Sequence, residues 1–182
     1  MYKRQIEHPD FQDYFASKLK IFDQAQVNCV NLDCDHAPEV LAAAQAAGKP
    51  VITFSQKNPQ ADVYASSVRK EDGQTVFQVR TPSYEREFRL TMPGLFNVEN
   101  ALGVIAVCEA LRIPDWAVYD GLVRARVPGR MEVFSNADGS VQAIVDYAHN
   151  RLSFETLFRS VREEYPGRNM ACLLYTSPSP RD

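Results

Sequence analysis

The chain has 182 residues, 45% hydrophobic and 24% charged, which is enough apolar material to bury a core and excludes an intrinsically disordered protein. Its 20 basic and 23 acidic residues give a formal net charge of −3 without a Lys- or Arg-dense run, which argues against a nucleic-acid partner. No apolar stretch approaches the roughly 20 residues that span a bilayer, and no apolar segment follows the N-terminal charges, so we expect a cytoplasmic protein with no membrane partner.

The N-terminal part of the chain has the pattern of a parallel α/β unit. From Pro9 to Gln24, apolar residues recur at three- and four-residue spacing, which predicts one amphipathic helix. A short strand at 27–31 is followed by an Ala-rich helix at 37–47 and by a second strand at 51–54. Strand, helix and strand of these lengths are typical of two parallel strands joined by a crossover helix.

The next segment changes to short alternating runs. They lie at 62–69, 75–80 and 84–91, and are separated by the turn signals Asp72-Gly73 and Thr81-Pro82-Ser83. The pattern predicts an antiparallel meander. Together with the parallel unit it predicts a mixed sheet with helices, in the α/β class.

Two helices follow the meander. One is predicted from Phe96 to Leu111, and the next begins at Pro114 and runs to about Arg124. The pattern breaks near 127–130, where we place a domain boundary.

The C-terminal part is predicted to form a hairpin and a further helix. Strands at 131–135 and 141–146 flank the turn signal at 136–139. A helix at about 152–164 follows, and a further strand is expected to begin at 169.

Both ends of the chain differ from the rest. The tail is turn-rich and interrupts a strand pattern, and Tyr2 to Gln5 can be encoded by DNA whose reverse complement encodes the start of that tail in another frame. The pair resembles a transposon-end adapter used in sequencing libraries. We therefore expect residues 1–5 and 172–182 to be translated adapter, and residues 6–171 to be an internal slice of a longer protein.

Polar residues follow two of the predicted strands. Asp33, Asp35 and His36 could bind a metal or a ribose there, although capping of the next helix is the favoured interpretation. Asp146 and His149 place a carboxylate and an imidazole after another strand, where either a ligand site or a cap fits the spacing.

The start of the 96–111 helix carries two amides on one face. Asn97 and Asn100 can offer a donor and an acceptor to a base edge, or they can cap the helix. The sequence contains neither a G-x-x-x-x-G-K-[ST] nor a G-x-G-x-x-G loop, so we expect that this chain cannot bind a triphosphate alone.

Three segments in this order resemble the Mur ligases of bacterial cell-wall synthesis. They are Pro93–Leu102 (PGLFNVENAL), Val127–Glu132 (VPGRME) and Val145–His149 (VDYAH). His8–Lys18 and Asn31–Asp35 also fall into the family's pattern, and the resemblance covers essentially all of 6–171. It is greatest to the branch that adds the third amino acid of the cell-wall peptide.

The resemblance implies a division of the chain between two of the three domains of a Mur ligase. Residues 6–127 would be the second half of the central ATPase domain, and residues 128–171 the start of the Rossmann-like C-terminal domain. The UDP-substrate domain and the phosphate loop would lie outside the chain, so the fragment itself is expected to be inactive.

The resemblance also assigns roles to individual residues. Lys18 matches a lysine that becomes carbamylated and supports a Mg²⁺ ion near the γ-phosphate of ATP, and His8 matches a histidine near that metal region. The nucleotide would be bound by several further residues. Asn97 or Asn100 would face adenine, Arg130 would clamp phosphate oxygens, Asp146 would approach the ribose, and His149 would lie beside the same cleft.

The implied reaction is ATP-dependent amide formation through an acyl phosphate. The cofactors would be ATP and Mg²⁺, and the partners a UDP-N-acetylmuramoyl dipeptide and an amino acid that the sequence does not specify. Asn150-Arg151 depart from the Thr-Pro of many members, which affects the contacts after His149. Another Mur ligase, a folylpolyglutamate synthetase-like ligase or a non-catalytic module of the same fold remain alternatives, and the oligomeric state stays open.

Overall fold

A mixed five-stranded sheet is the framework of the first part of the chain. The computed structural model describes residues 8–174. Of the two predicted adapter segments, 1–5 and 172–182, residues 1–5 and 175–182 lie outside the described part. The strands, in their order in the sheet, are β1 (Asn28–Asn31), β2 (Val51–Ser55), β3 (Val63–Glu71), β4 (Gln74–Arg80) and β5 (Glu85–Leu90). β1, β2 and β3 run parallel, and β3, β4 and β5 run antiparallel. The predicted mixed α/β fold and its meander are confirmed.

Five helices accompany this sheet within the described residues. They are α1 (Phe11–Leu19), α2 (Ile21–Gln24), α3 (Ala37–Ala46), α4 (Phe96–Ala110) and α5 (Asp115–Arg124). The single helix predicted over 9–24 is wrong. The backbone N–H of Lys20 bonds to the Lys18 carbonyl instead of continuing the four-residue ladder, so α1 ends there and α2 begins.

The core lies between the sheet and α4 and α5. Val63, Phe77 and Phe88 from the strands pack with Leu102 and Ile105 of α4, and all five are 0% exposed. The β3–β4 turn that aligns this face has positive φ at both Asp72 and Gly73, as a two-residue type I′ hairpin requires. Packing and turn geometry therefore specify the same strand register.

A two-stranded hairpin ends the first compact unit, which closes at Tyr147. It pairs β6 (Glu132–Ser135) with β7 (Gln142–Val145) in antiparallel register. The second unit begins at Ala148 and contains α6 (Arg151–Glu164). The two units divide between Tyr147 and Ala148, later in the chain than the predicted boundary at 127–130. That predicted boundary refers to the domains of a longer enzyme, and it stays a prediction.

The strand expected from residue 169 is wrong. Residues 168–174 have no regular secondary structure, and the side chain of Leu173 is fully exposed. A strand needs a neighbouring strand to bond its backbone, and the described part of the chain gives this segment none. Among the helices of residues 8–174, none combines the length and apolar character needed to cross a membrane.

Candidate functional site

The two amides predicted to face a base lie at the start of α4. Asn97 is buried, its Nδ2 donates to the Pro93 carbonyl at 2.7 Å, and its Oδ1 accepts from Asn100 Nδ2 at 3.1 Å. The N-cap residue is Leu95, without a side-chain hydrogen bond, so the capping interpretation of the two asparagines is wrong. The side chain of Asn97 is used within the local fold, and Asn100 is exposed. The contact of one of these amides with adenine stays a prediction.

The carboxylate of Asp33 has partners that the sequence did not suggest. It accepts from Ser55 Oγ at 2.6 Å and from the backbone N–H of Gln56 at 2.7 Å. The N-cap of α3 is His36, again without a side-chain cap, so the capping role favoured for Asp33 and Asp35 is wrong. Asp33 instead joins the ends of two parallel strands at the edge of the sheet where α/β ligand sites form.

The ring of Tyr14 brings the predicted residues Lys18 and His8 to one face of α1. The Lys18 Nζ lies 5.6 Å from the Tyr14 ring centroid, and the His8 ring meets Tyr14 edge-on at 5.5 Å between centroids. His8 Nδ1 lies 2.6 Å from Asp13 Oδ2. The lysine is exposed, so its amine is open to modification or to a ligand.

A metal site within this chain alone is not present in the described residues. In the range 8–174, no three His, Cys, Asp or Glu side chains come together closely enough to hold a metal ion. Mg²⁺ takes oxygen ligands in an octahedral arrangement. The described residues therefore do not form such a site by themselves.

The turn before β6 is held by two carboxylates. Glu132 Oε2 accepts from the N–H of Gly129 at 3.0 Å, and Asp146 Oδ2 accepts from the N–H of Met131 at 2.9 Å. Arg130 lies between these anchored residues, exposed, with its guanidinium carbon 5.0 Å from the Tyr147 ring centroid. The structure therefore brings Arg130 and Asp146 together across the β6–β7 hairpin.

This turn lines a cleft of about 320 Å³ that also reaches the segment before α4. Its walls come from segments 91–93 and 126–133, and include Arg126 and Arg130. Pro93, whose carbonyl anchors Asn97, is part of the same wall. Arg126 Nη1 already donates to the carbonyls of Val123 and Ala125, and Glu132 also lines the cleft. The exposed Arg130 is therefore the guanidinium suited to meet an anionic ligand beside the start of α4.

A larger cavity of about 470 Å³ lies at the other end of α4 and contains none of the predicted site residues. Tyr84 lines it, and burial, with the nearby Glu109, raises the pKa of its hydroxyl to about 12. The phenol therefore stays neutral at physiological pH, which makes it unsuitable as a general base.

His149 lies in the second compact unit, at the start of α6. Its backbone N–H donates to Ser153 Oγ at 3.1 Å, and Asn150 is the N-cap of the helix. The Asn150 side chain accepts from the Ser153 N–H, and the Ser153 hydroxyl accepts from the Asn150 N–H, which completes a capping box. The departure noted at residue 150 thus has a structural role.

Replacement of Asn150 by alanine should weaken α6 by about 1 kcal/mol, because the cap of the Ser153 N–H is lost. Hydrogen exchange of the amides in 151–164 measures this loss. Asn150→Ser keeps an oxygen that can cap the helix and should preserve the protection. Equal exchange in the alanine variant and the wild-type chain would contradict the capping role.

Two aromatic rings of the site were missed in the sequence. Tyr14 lies under Lys18 and Tyr147 lies under Arg130. The contact between Tyr14 and Lys18 could have been predicted, because residues four apart on a helix share a face. The second depends on the pairing of β6 with β7, which no local pattern specifies in detail.

The chain is similar to known proteins along most of its length. The family model described as the Mur ligase middle domain matches residues 7–108. The UDP-N-acetylmuramoyl-L-alanyl-D-glutamate–L-lysine ligase of Enterococcus faecalis is 33% identical over 174 residues, which cover 93% of this chain and 34% of that protein. The corresponding 2,6-diaminopimelate ligase of Clostridioides difficile is 30% identical over 163 residues, covering 88% of this chain and 33% of that protein. The chain thus spans about a third of the length of these curated relatives.

Solved structures share the fold. The crystal structure of MurF from Acinetobacter baumannii matches with a TM-score of 0.72 at 23% identity, over 90% of this chain and 35% of that chain. The UDP-N-acetylmuramate–alanine ligase from Thermotoga maritima matches with a TM-score of 0.69 at 21% identity, over 85% of this chain and 34% of that chain.

Proposed function

Because this chain belongs to the Mur ligase family, we propose that it serves in an ATP-dependent ligase that adds the third amino acid to UDP-N-acetylmuramoyl-L-alanyl-D-glutamate in peptidoglycan synthesis. The curated relatives named above use L-lysine or 2,6-diaminopimelate, so these are the two candidate amino acids. The cytoplasm is the expected site of the reaction. The structural observation that carries the proposal is the arginine-lined cleft beside the N-terminus of α4.

The proposed reaction transfers the γ-phosphoryl group of ATP to the free γ-carboxylate of the D-glutamyl residue. The acyl phosphate that forms is attacked by the amine of the amino acid, and inorganic phosphate leaves as the amide bond closes. Negative charge develops on phosphate oxygens in the first step and on the tetrahedral oxygen in the second. Groups fixed in place before reaction stabilise such charge most effectively.

Residues of this chain supply part of that environment. Arg130 is mounted on a turn held by two carboxylates, and its guanidinium can bind two phosphate oxygens at once. Asn100 offers its amide to the adenine. Asp146 and His149 remain proposed contacts of the nucleotide, although Asp146 accepts a hydrogen bond from the Met131 N–H in this structure.

Lys18 is proposed to act as a carbamate. Its amine adds to carbon dioxide and loses a proton, so a cation becomes an anion on the same side chain. Mg²⁺ would neutralise charge on the nucleotide phosphates, with the carbamate as an indirect support.

An assay of the full-length enzyme, obtained by extending the gene on both sides, tests the proposal. ATP, UDP-N-acetylmuramoyl-L-alanyl-D-glutamate and either L-lysine or diaminopimelate should yield phosphate and a product heavier by one amino-acid residue. Activity with a reduced folate and glutamate instead would identify a folylpolyglutamate synthetase. No ATP-dependent product with any of these substrates would support a non-catalytic module.

The 182-residue chain by itself should neither bind ATP at micromolar affinity nor form an amide. The reason is that its sequence lacks a loop that cradles the triphosphate. Isothermal calorimetry with residues 6–171 and with the whole chain measures the affinity, and phosphate release measures turnover. Micromolar binding would show that the described cleft alone holds the nucleotide.

A further inference from the structure

Polar side chains at the carboxyl ends of β1 and β2 form a continuous series of hydrogen bonds that reaches α4. Asn31, the last residue of β1, donates from Nδ2 to Glu99 Oε1 at 2.5 Å and accepts from the Asp33 N–H at 2.8 Å. The Asp33 carboxylate accepts from Ser55 Oγ and from the N–H of Gln56 at the end of β2. The first turn of α4 is thereby connected to two parallel strands.

Apolar packing alone leaves the rotation of α4 poorly specified. Leu102 and Ile105 are fully buried against the sheet, yet Val104 and Val107 on the opposite side are 48% and 47% exposed. Since apolar side chains surround much of the helix and hydrophobic contacts have no direction, several rotations would bury similar areas. A polar contact at one end can select a single arrangement, which is the best-attested use of partly buried polar groups.

The contact between Glu99 and Asn31 has the required position. Glu99 directly precedes Asn100, and it is part-buried, so its hydrogen bond is shielded from water more than a surface pair. On the other side of the same turn, Asn97 is anchored to the Pro93 carbonyl. The two contacts together leave little freedom to the backbone that carries Asn100.

We propose that Glu99 is a positioning residue for the nucleotide: its hydrogen bond to Asn31 sets the rotation of the first turn of α4 and so aims the Asn100 amide at the adenine base. This inference rests on the proposed function, since it requires ATP at the N-terminus of α4. Glu99 itself acts through Asn100 and does not touch the reacting atoms.

The test compares Glu99→Ala and Glu99→Gln in the full-length ligase. Glu99→Ala should raise the KM for ATP by about tenfold, the loss expected when one neutral hydrogen bond, that of the Asn100 amide to adenine, is misaligned. It should also lower the preference for ATP over GTP. The kcat and the KM for the amino acid should stay near the wild-type values. Glu99→Gln keeps an oxygen that accepts from Asn31 Nδ2 and should retain most of the ATP affinity and base preference.

Asn31→Ala removes the same hydrogen bond from its other side and covers the case in which Glu99→Ala does not fold. It should give the same shift in the KM for ATP, and the double variant should show no further loss. Glu109→Ala is the matched control, because Glu109 lies on the last turn of α4 and bonds the hydroxyl of Ser83. Its KM for ATP should be unchanged.

Three results would overturn the inference. The first is a wild-type KM for ATP and a wild-type base preference in both Glu99→Ala and Asn31→Ala. The second is an equal rise of the KM for ATP in Glu109→Ala, which would indicate general loosening of the helix. The third is a Glu99→Gln variant as impaired as Glu99→Ala. A wild-type enzyme without ATP-dependent amide formation overturns the proposed function, and this inference with it.

Discussion

Lys18→Ala in the full-length ligase should lower kcat by roughly a hundredfold or more, because the anion that the proposed carbamate would supply in support of Mg²⁺ near the phosphates is removed. The side chain lies on the surface of α1 against the ring of Tyr14, so its loss affects little of the core. The melting temperature of the variant should therefore stay close to that of the wild-type enzyme. Phosphate release under saturating substrates measures the effect.

Chemical rescue distinguishes a carbamate from a simple ammonium group at this position. Acetate or formate should restore part of the turnover of Lys18→Ala, since a small carboxylate can replace the missing anion, whereas methylamine should not. Lys20→Ala is the control, because Lys20 is also exposed and lies just after α1. Wild-type turnover in Lys18→Ala would remove this residue from the site.

Arg130→Ala should reduce kcat/KM for ATP by roughly 10²–10³-fold, the range observed when one fixed donor to a developing negative charge is deleted. Arg130 is exposed and its one described aromatic contact, with Tyr147, contributes about 0.5–1 kcal/mol at such a site, so the free energy of unfolding should change little. Initial rates at varied ATP, with urea unfolding in parallel, separate the two effects.

The conservative variant and a distant arginine sharpen this experiment. Arg130→Lys keeps the charge but cannot bind two oxygens in parallel, so it should recover only part of the lost activity. Arg124→Ala removes another exposed guanidinium, one that pairs with Asp120 on its own helix, and should leave ATP use intact. An unchanged rate in Arg130→Ala would show that the cleft is not the phosphate site.

Elements whose signals are local were predicted correctly from the sequence. The meander is an example, because the two residues of the β3–β4 turn are sterically suited to their positive φ angles and the flanking runs alternate. α4 is another, since its apolar residues extend over four turns. In both cases the information lies within a few residues of the structure that it specifies.

The errors concern interactions over longer distances in the chain. Asp33 was expected to cap the adjacent helix, but its carboxylate finds better partners in Ser55 and Gln56, which become neighbours only when β1 and β2 pair. The residues from 169 have the apolar pattern of a strand, but no other strand of the described chain lies beside them to form one. At the site, both Arg130 and Asp146 were predicted from the sequence. Their proximity was not, because it depends on the hydrogen bond from the Met131 N–H to Asp146.

The strand order leaves two edges in the sheet of the described residues, β1 and β5, and they differ in charge. β5 carries Glu85, Glu87 and Arg89, and the last two join an ion-pair network with Arg69 of β3. Another chain that paired with β5 would have to accommodate these charges, and charged side chains are a common protection of edge strands. β1 (Asn28–Asn31) has no charged residue. When residues 6–171 are produced as a separate chain, unwanted pairing between molecules is therefore expected at β1 rather than at β5.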